Sequence, residues 1–257
     1  MTQQRFLNRV ALVTGGASGM GRQIALSFAA EGAKVVVGDI QDELGAQTVA
    51  LITAAGGQAV FQKTDVSQTA DVDALVALAV SHFGGLNHAV NAAAIEGEAP
   101  ELALLEEEVF DRIIAVNLRS VFLSMRAEVR AFLAAKTGGT IVNIASTNSY
   151  RPQPGQSAYT SSKFAVAGIT KAAAIEYAGR GIRINAVAPG SIDTPMLRNA
   201  MARRKRGDEA DTIARLSLIG RFGTVEEIAH ATLWLSSDEA TYTMGHVMAV
   251  DGGYLSR

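Results

Sequence analysis

Residues 9–31 run Arg9-Val-Ala-Leu-Val-Thr14-Gly15-Gly-Ala-Ser18-Gly19-Met20-Gly21-Arg22-Gln-Ile-Ala-Leu-Ser-Phe-Ala-Ala-Glu31. The apolar run before Thr14 reads as a buried strand, and after Gly21 the apolar positions recur at helical spacing. Glycines let the chain bend tightly between them and let its backbone approach a pyrophosphate. The start of the following helix offers free N–H groups and the positive end of its dipole to an anion. Strand, glycine-rich turn and helix in this order predict a phosphate cradle at Gly15, Ser18, Gly19, Met20 and Gly21.

Working outward, Ala33-Lys-Val-Val-Val-Gly-Asp39 reads as a second buried strand ending in an acid. Asp39 stands eighteen residues past Gly21, close to the distance at which an acid hydrogen-bonds an adenosine ribose. A carboxylate there repels a 2′-phosphate, and no arginine follows it directly, so the expected cofactor is NAD rather than NADP. Ile40, beside Asp39, is assigned to the same groove. Further strands are expected at Gln58–Asp65, Leu86–Asn91, Gly139–Ser146, Ile182–Ala188 and Val247–Asp251. Helices are expected at Ala70–Phe83, stopped by Gly84-Gly85, in two stretches around Asn117, from the Tyr159 region to about Tyr177, and at Val225–Leu235. The acidic Glu106-Glu-Glu108 suits the first turn of a helix. This repetition predicts an α/β fold: one Rossmann-type, doubly wound domain over residues 1–257, with a seven-stranded, mostly parallel sheet and helices on both faces. Ligands of such sheets bind beyond the carboxyl ends of the strands. Gly15, Asp39, Asp65, Asn91, Ser146 and Pro189 all fall just past strand ends, so one cleft can collect them.

Composition narrows the function. The chain has 257 residues, 48% of them hydrophobic, and a net charge of −2. That balance gives no electrostatic invitation to nucleic acid or to an anionic membrane. Cysteine is absent, which excludes disulfides and thiol chemistry. No stretch approaches the ~20 apolar residues of a membrane span, and the apolar start is too short for a secretory signal; a cytoplasmic location is expected. The four histidines (His82, His88, His230, His246) show no metal-ligand spacing and read as surface or core packing, so no metal is expected. The basic run Arg203-Arg-Lys-Arg206 lacks interleaved aromatics and reads as part of a solvated, mobile segment.

Chemistry concentrates at Ser146, Tyr159 and Lys163. Tyr159 and Lys163 are four residues apart in Ser157-Ala-Tyr-Thr-Ser-Ser-Lys-Phe, a spacing that shares one helix face. Such a pair is ordinarily mere surface. A cation beside a phenol, however, favours the phenolate and lowers a pKa that is otherwise about 10. A phenol tuned this way exchanges a proton with an alcohol or ketone oxygen, and Ser146 can hydrogen-bond that same oxygen.

At this point the sequence resembles the short-chain dehydrogenase/reductase family over essentially its whole length. Thr14–Gly21 matches that family's Thr-Gly-x-x-x-Gly-x-Gly motif. Ser146, Tyr159 and Lys163 match its catalytic serine, tyrosine and lysine in type and spacing. Asn117, in Ala115-Val-Asn-Leu-Arg119, falls where the family carries an asparagine, and Pro189-Gly-Ser-Ile-Asp-Thr194 matches its nicotinamide-side segment. One departure stands out: the usual Asn-Asn-Ala-Gly reads Asn91-Ala-Ala-Ala94, which bears on local backbone shape near the cofactor. The resemblance implies that Tyr159 is the proton donor or acceptor. It gives Lys163 the tasks of lowering the tyrosine pKa and bonding the nicotinamide ribose. Ser146 orients the substrate oxygen, and Asn117 holds a water of the proton path. Asp65 and Val66 would flank the adenine, Asn91 and Ala93 would border the cofactor, and Pro189, Gly190, Ile192 and Thr194 would meet the nicotinamide. Relatives are commonly homotetramers, and a homotetramer is expected.

The segment Ser191–Gly220 breaks the regular alternation and is the expected substrate lid. Met196, Leu197, Met201, Ile213, Leu216 and Leu218 would form its apolar inner face. Glu96, Asn148, Tyr150 and Gln153 lie on loops expected to open toward the same cleft. An apolar pocket with a few polar contacts suits a cyclic or medium-sized secondary alcohol or ketone as small-molecule substrate, and the stretch Ala94–Gly97 resembles relatives acting on cyclic alcohols and diols. Two alternatives stand: an NADPH-dependent 3-ketoacyl reductase, and a non-catalytic NAD-binding regulator.

Overall fold

Seven strands pair in the order β3-β2-β1-β4-β5-β6-β7 in the computed structural model, which describes residues 4–96, 100–204 and 209–257. They are β1 (Val10–Thr14), β2 (Lys34–Asp39), β3 (Gln58–Lys63), β4 (His88–Asn91), β5 (Gly139–Ile144), β6 (Ile182–Pro189) and β7 (Val247–Val250). Every pairing is parallel. The order reverses between β1 and β4, the switch point beyond which a doubly wound sheet binds its ligand.

Both faces of the sheet are buried, which is why the strands read as continuous apolar runs rather than alternating ones. In β1, Val10 and Leu12 join one core while Ala11 and Val13 join the other. The first core is closed by α3 (Thr69–Phe83), α5 (Ser120–Ala135) and α6 (Ser157–Tyr177), through Leu75, Phe132 and Val166 among others. The second is closed by α1 (Gly19–Ala30), α2 (Asp42–Ala54) and α9 (Val225–Ser236), through Ile24, Phe28, Ile52 and Leu233. His88 belongs to this packing: it stacks on Phe28 and meets Phe6 edge-on, and burial pushes its pKa down to about 3.

The element boundaries follow the sequence closely, with three differences. Helix α2 escapes a reading by apolar periodicity because its buried side is Gly45, Thr48 and Ile52; Gly45 is required where Phe61 lies against the backbone. Strand β5 stops at Ile144, two residues short of Ser146, because Ser146 accepts the Asn148 N–H at 3.1 Å and caps a short turn over Thr147–Ser149. The two helices around Asn117 are one continuous run: α4 (Glu107–Ile114) passes through a π-helical turn, Ala115–Arg119, into α5. Such π-turns recur at functional sites. In the expected lid, α7 (Pro195–Arg204) and α8 (Glu209–Leu216) occupy the described parts. Gly97, Lys205 and Arg206 lie outside the described residues, and the side chains of the basic run are not described. No helix among the described residues is long and apolar enough to cross a membrane.

Candidate active site

The glycine turn packs backbone on backbone. Gly15 has φ +69°, and a Cβ there would lie 2.7 Å from Ala93 Cα. A Cβ on Gly21 would lie 2.1 Å from the Gly15 carbonyl oxygen. Two elements brace the turn from outside: Thr48 Oγ donates to the Gly16 carbonyl at 2.9 Å, and Thr14 Oγ accepts the Ala92 N–H at 3.2 Å. Beside it opens a groove of about 290 Å³ bounded by Ser18, Met20, Asp39, Ile40, Asp65 and Val66. The buried Asp39 carboxylate accepts the Ala17 N–H at 3.0 Å and the Gln41 N–H at 3.0 Å. It therefore fixes the turn as well as facing the groove. No lysine or arginine lines this groove among the described residues. A turn closed to side chains, the open N-terminus of α1 and an acid at the far end together fit a dinucleotide.

Ala93 lines the groove as expected, and Asn91 does not. The Asn91 side chain turns into the first core, where its amide donates to Glu128 Oε2 at 3.2 Å and to Asn143 Oδ1 at 3.0 Å. Ala94 keeps a negative φ, so alanine meets no conformational penalty where the family carries glycine.

Past β5 and β6 the groove continues, through Met20, Thr194 and Met196, into a second cavity of about 170 Å³. Ser146 and Tyr159 both line it, with Pro189, Gly190 and Ile192 on the adjoining wall. Burial pushes the Tyr159 phenol above its ordinary pKa; a hydrogen bond with Ser146 works the other way, and the charge of Glu96 adds to the rise. Lys163, on the same face of α6, is 2% exposed. Its ammonium donates to the Ile144 carbonyl at 2.8 Å and lies 5.7 Å from the centre of the Tyr159 ring. It sits beside the Tyr159 ring and is anchored to β5. Burial lowers its pKa to about 8, so it carries its charge through most of the neutral range.

Asn117 is fully buried in the π-turn. Its Oδ1 accepts the Ile95 N–H at 2.8 Å and its Nδ2 donates to the Ile95 carbonyl at 2.9 Å. A second, weaker contact reaches Ser162 Oγ at 3.4 Å. Asn117 thus ties the loop after β4 to the helix that carries Tyr159.

The cavity beyond Tyr159 gathers Glu96, Asn148, Gln153 and Met196 as expected, along with Leu197, Met201 and Leu216 from α7 and α8. Three expected residues fall elsewhere. Tyr150 points away, its hydroxyl donating to the Val247 carbonyl. Leu218 is half exposed and packs beside Gly253, and Ile213 is not among the residues that line the cavity. Gln156, Thr212 and Arg215 line the cavity unforeseen. Only Gln156 carries a sequence signal, as the polar residue directly before the Tyr159 helix.

Sheet, glycine turn and the meeting of Ser146 and Tyr159 at one cavity, with Lys163 buried beside the tyrosine, define a dinucleotide-binding oxidoreductase. A family model described as enoyl-(acyl carrier protein) reductase matches residues 15–255. Cyclohexanol dehydrogenase of an Acinetobacter species is 44% identical over 253 residues, covering 98% of this chain and 97% of that one. A Sphingobium indicum protein, 2,5-dichloro-2,5-cyclohexadiene-1,4-diol dehydrogenase, is 40% identical over 246 residues, 96% of each chain. The crystal structure of levodione reductase superposes with a TM-score of 0.93 at 36% identity, covering 97% of this chain and 98% of that one. The chain belongs to the short-chain dehydrogenase/reductase family. It is an oxidoreductase of CH–OH groups, and the family implies a nicotinamide cofactor.

Proposed function

We propose that the protein oxidises cyclic secondary alcohols with NAD, and reduces the corresponding ketones with NADH. The observation that carries this reading is the continuity of one space: it runs from Asp39, past the glycine turn, to Ser146 and Tyr159. NAD is favoured because an acid ends the groove and no cation lines it among the described residues, leaving a 2′-phosphate unpaired and repelled. A ring substrate is favoured by the cavity's scale. Its ~170 Å³ holds on the order of ten waters, and methionine and leucine side chains close one side. Relatives named for cyclohexanol and for a cyclohexadiene diol point the same way.

A bound nicotinamide supplies the two-electron exchange at the reacting carbon; the chain's own residues handle the oxygen. Ser146 Oγ accepts from the Asn148 N–H, and its own O–H, bonded to Tyr159 in this structure, turns to donate to a substrate oxygen seated between the two. The Tyr159 phenolate takes the hydroxyl proton as the alcohol becomes a ketone, and the phenol returns it in the reverse direction. Lys163 sets a fixed positive charge beneath the ring, which favours the phenolate that burial opposes. Asn117 holds Ile95 and so the adjoining wall. Helices α7 and α8 serve as the lid. A homotetramer pairing the α5 and α6 faces is the proposed assembly, supported by the exposure of Phe122, Phe164 and Ile175 on those helices.

The test is an absorbance assay of nicotinamide reduction with cyclohexanol and either NAD or NADP. Turnover should require NAD and fall about a thousandfold in Tyr159→Phe, with NAD binding retained. A fully active Tyr159→Phe variant, or activity confined to NADPH and 3-ketoacyl substrates, would overturn the reading.

A further inference from the structure

Resting on the proposed ring-alcohol oxidation, we propose that Gln153 is a specificity-determining residue. It recognises a second oxygen on the ring, remote from the reacting carbon, so the preferred substrates are ring diols, hydroxyketones and diones.

A file of amides leads away from Ser146. The Asn148 N–H donates to Ser146 Oγ at 3.1 Å. The Asn148 side-chain amide donates to Gln156 Oε1 at 2.6 Å and to Thr160 Oγ at 3.3 Å. Gln153 Nε2 donates to Asn148 Oδ1 at 3.5 Å. Asn148 and Gln156 are 2% and 8% exposed, and the Asn148 amide is committed to its neighbours. Gln153 differs. It is only partly buried, it lines the same cavity as Ser146 and Tyr159, and it is held at one corner by a long bond. Its Oε1 and its second N–H have no hydrogen-bond partner among the described residues. A primary amide offers one acceptor and one donor side by side, so it can accept from a hydroxyl and donate to a carbonyl. It therefore suits a second oxygen in either oxidation state.

The apolar part of the lining argues for selection. Met196, Leu197, Met201 and Leu216 give hydrocarbon contact that any ring can use. A ring with one oxygen satisfies Ser146 and Tyr159, but it sets Gln153 against hydrocarbon and removes its water. A site built to hydrogen-bond a group discriminates against the analogue lacking it far more than an apolar pocket can. Asn148 bonds both Ser146 and Gln153, and Gln153 is assigned an oxygen across the six-membered ring rather than one on the neighbouring carbon.

The experiment compares kcat/KM for cyclohexanol, cyclohexane-1,2-diol and cyclohexane-1,4-diol with NAD, in the wild type and in Gln153→Leu and Gln153→Ala. The wild type should favour the 1,4-diol over cyclohexanol by at least about tenfold, the equivalent of one good hydrogen bond. Both variants should abolish most of that preference, mainly through a higher KM for the diol, so that the ratio of kcat/KM for the 1,4-diol to that for cyclohexanol falls close to one. A wild type indifferent to the second oxygen would overturn the proposal. So would variants that lose both substrates in equal measure, since Gln153 would then act only by bracing Asn148. Should the wild type oxidise none of the three alcohols, the underlying assignment fails with it; turnover of cyclohexanol without a diol preference removes the Gln153 role alone.

Discussion

Asn117 holds Ile95 at both ends of one peptide unit, accepting its N–H at 2.8 Å and donating to its carbonyl at 2.9 Å. Ile95 lines the nucleotide groove and its neighbour Glu96 lines the substrate cavity, so one amide fixes the wall common to both. Asn117→Leu keeps the volume and removes both bonds. Leaving two partly buried backbone groups without partners costs about 2–4 kcal/mol, or roughly 10 °C in Tm for a chain of this size. Because misplacement by about an ångström can cost a hundredfold, kcat/KM should fall on the order of a hundredfold at temperatures where the variant is fully folded. A stable, fully active Asn117→Leu enzyme would show that the loop keeps its place unaided.

Glu128 makes folding sensitive to pH. It is fully buried on α5, where the Asn91 amide donates to its Oε2 at 3.2 Å. Oε1 and the facing Asn91 Oδ1 find no partner among the described residues. Burial pushes the carboxyl up to about 8, and the Asn91 bond only partly opposes this. The unfolded chain releases this proton near pH 4.5, while the folded chain keeps it to about 8. The folded state thus holds more protons throughout that window, and stability falls as pH rises across it. The full contribution, present below 4.5 and gone above 8, is about 5 kcal/mol. Glu128→Gln carries no proton to lose. Its Tm should gain on the wild type by on the order of 10 °C between pH 5 and pH 8; parallel Tm profiles would refute a neutral Glu128.

Sequence alone made most of this frame legible because burial on both faces writes strands as unbroken apolar runs, as in Val10–Val13 and Val35–Val37, and because glycine is required by conformation at Gly15 and Gly84 and by close backbone approach at Gly21. It was less informative wherever a side chain's direction mattered more than its position. Asn91 sits at a strand end, where either the groove or the core is open to it, and Glu128, itself unremarkable in sequence, draws it inward. Lys163 shares a face with Tyr159, as spacing requires, but the Ile144 carbonyl competes for its ammonium. Gln156, Thr212 and Arg215 reach the cavity through the folding of loop and lid, which no periodicity encodes. Helix α2 was hidden because a helix packed through glycine and threonine has no apolar stripe.

Gly15 tests the cradle without touching any charge. Its φ of +69° and the 2.7 Å approach to Ala93 leave a side chain neither conformation nor room. The obstacle is backbone, which cannot swing aside as a side-chain end would. Gly15→Ala should cost about 1–3 kcal/mol from the strained conformation alone, with the overlap adding to it. It should also weaken NAD binding at least tenfold by shifting the turn against β4. Calorimetric titration of the folded variant measures this, and an unchanged NAD affinity would mean that the turn does not shape the pyrophosphate site.

Asp39 does two jobs, and separating them gives the sharpest check on the cofactor. Its carboxylate fixes the turn through the Ala17 and Gln41 N–H groups, and its charge faces a groove that no lysine or arginine lines among the described residues. Asp39→Ala removes both contributions, so its loss of NAD affinity would be ambiguous. Asp39→Asn is the cleaner variant: the amide oxygen can still accept from the Ala17 N–H, while the charge is gone. A ribose hydroxyl bonded to a carboxylate is worth about 1.5–3 kcal/mol, so NAD should bind Asp39→Asn roughly tenfold to a hundredfold more weakly. NADP should bind more tightly, since its 2′-phosphate no longer faces a like charge. The ratio of kcat/KM for NAD to that for NADP should therefore fall by at least about a hundredfold, with Tm within a few degrees of wild type. A ratio that does not move, in a variant that keeps its stability, would mean that Asp39 only braces the turn and that cofactor choice lies with other residues.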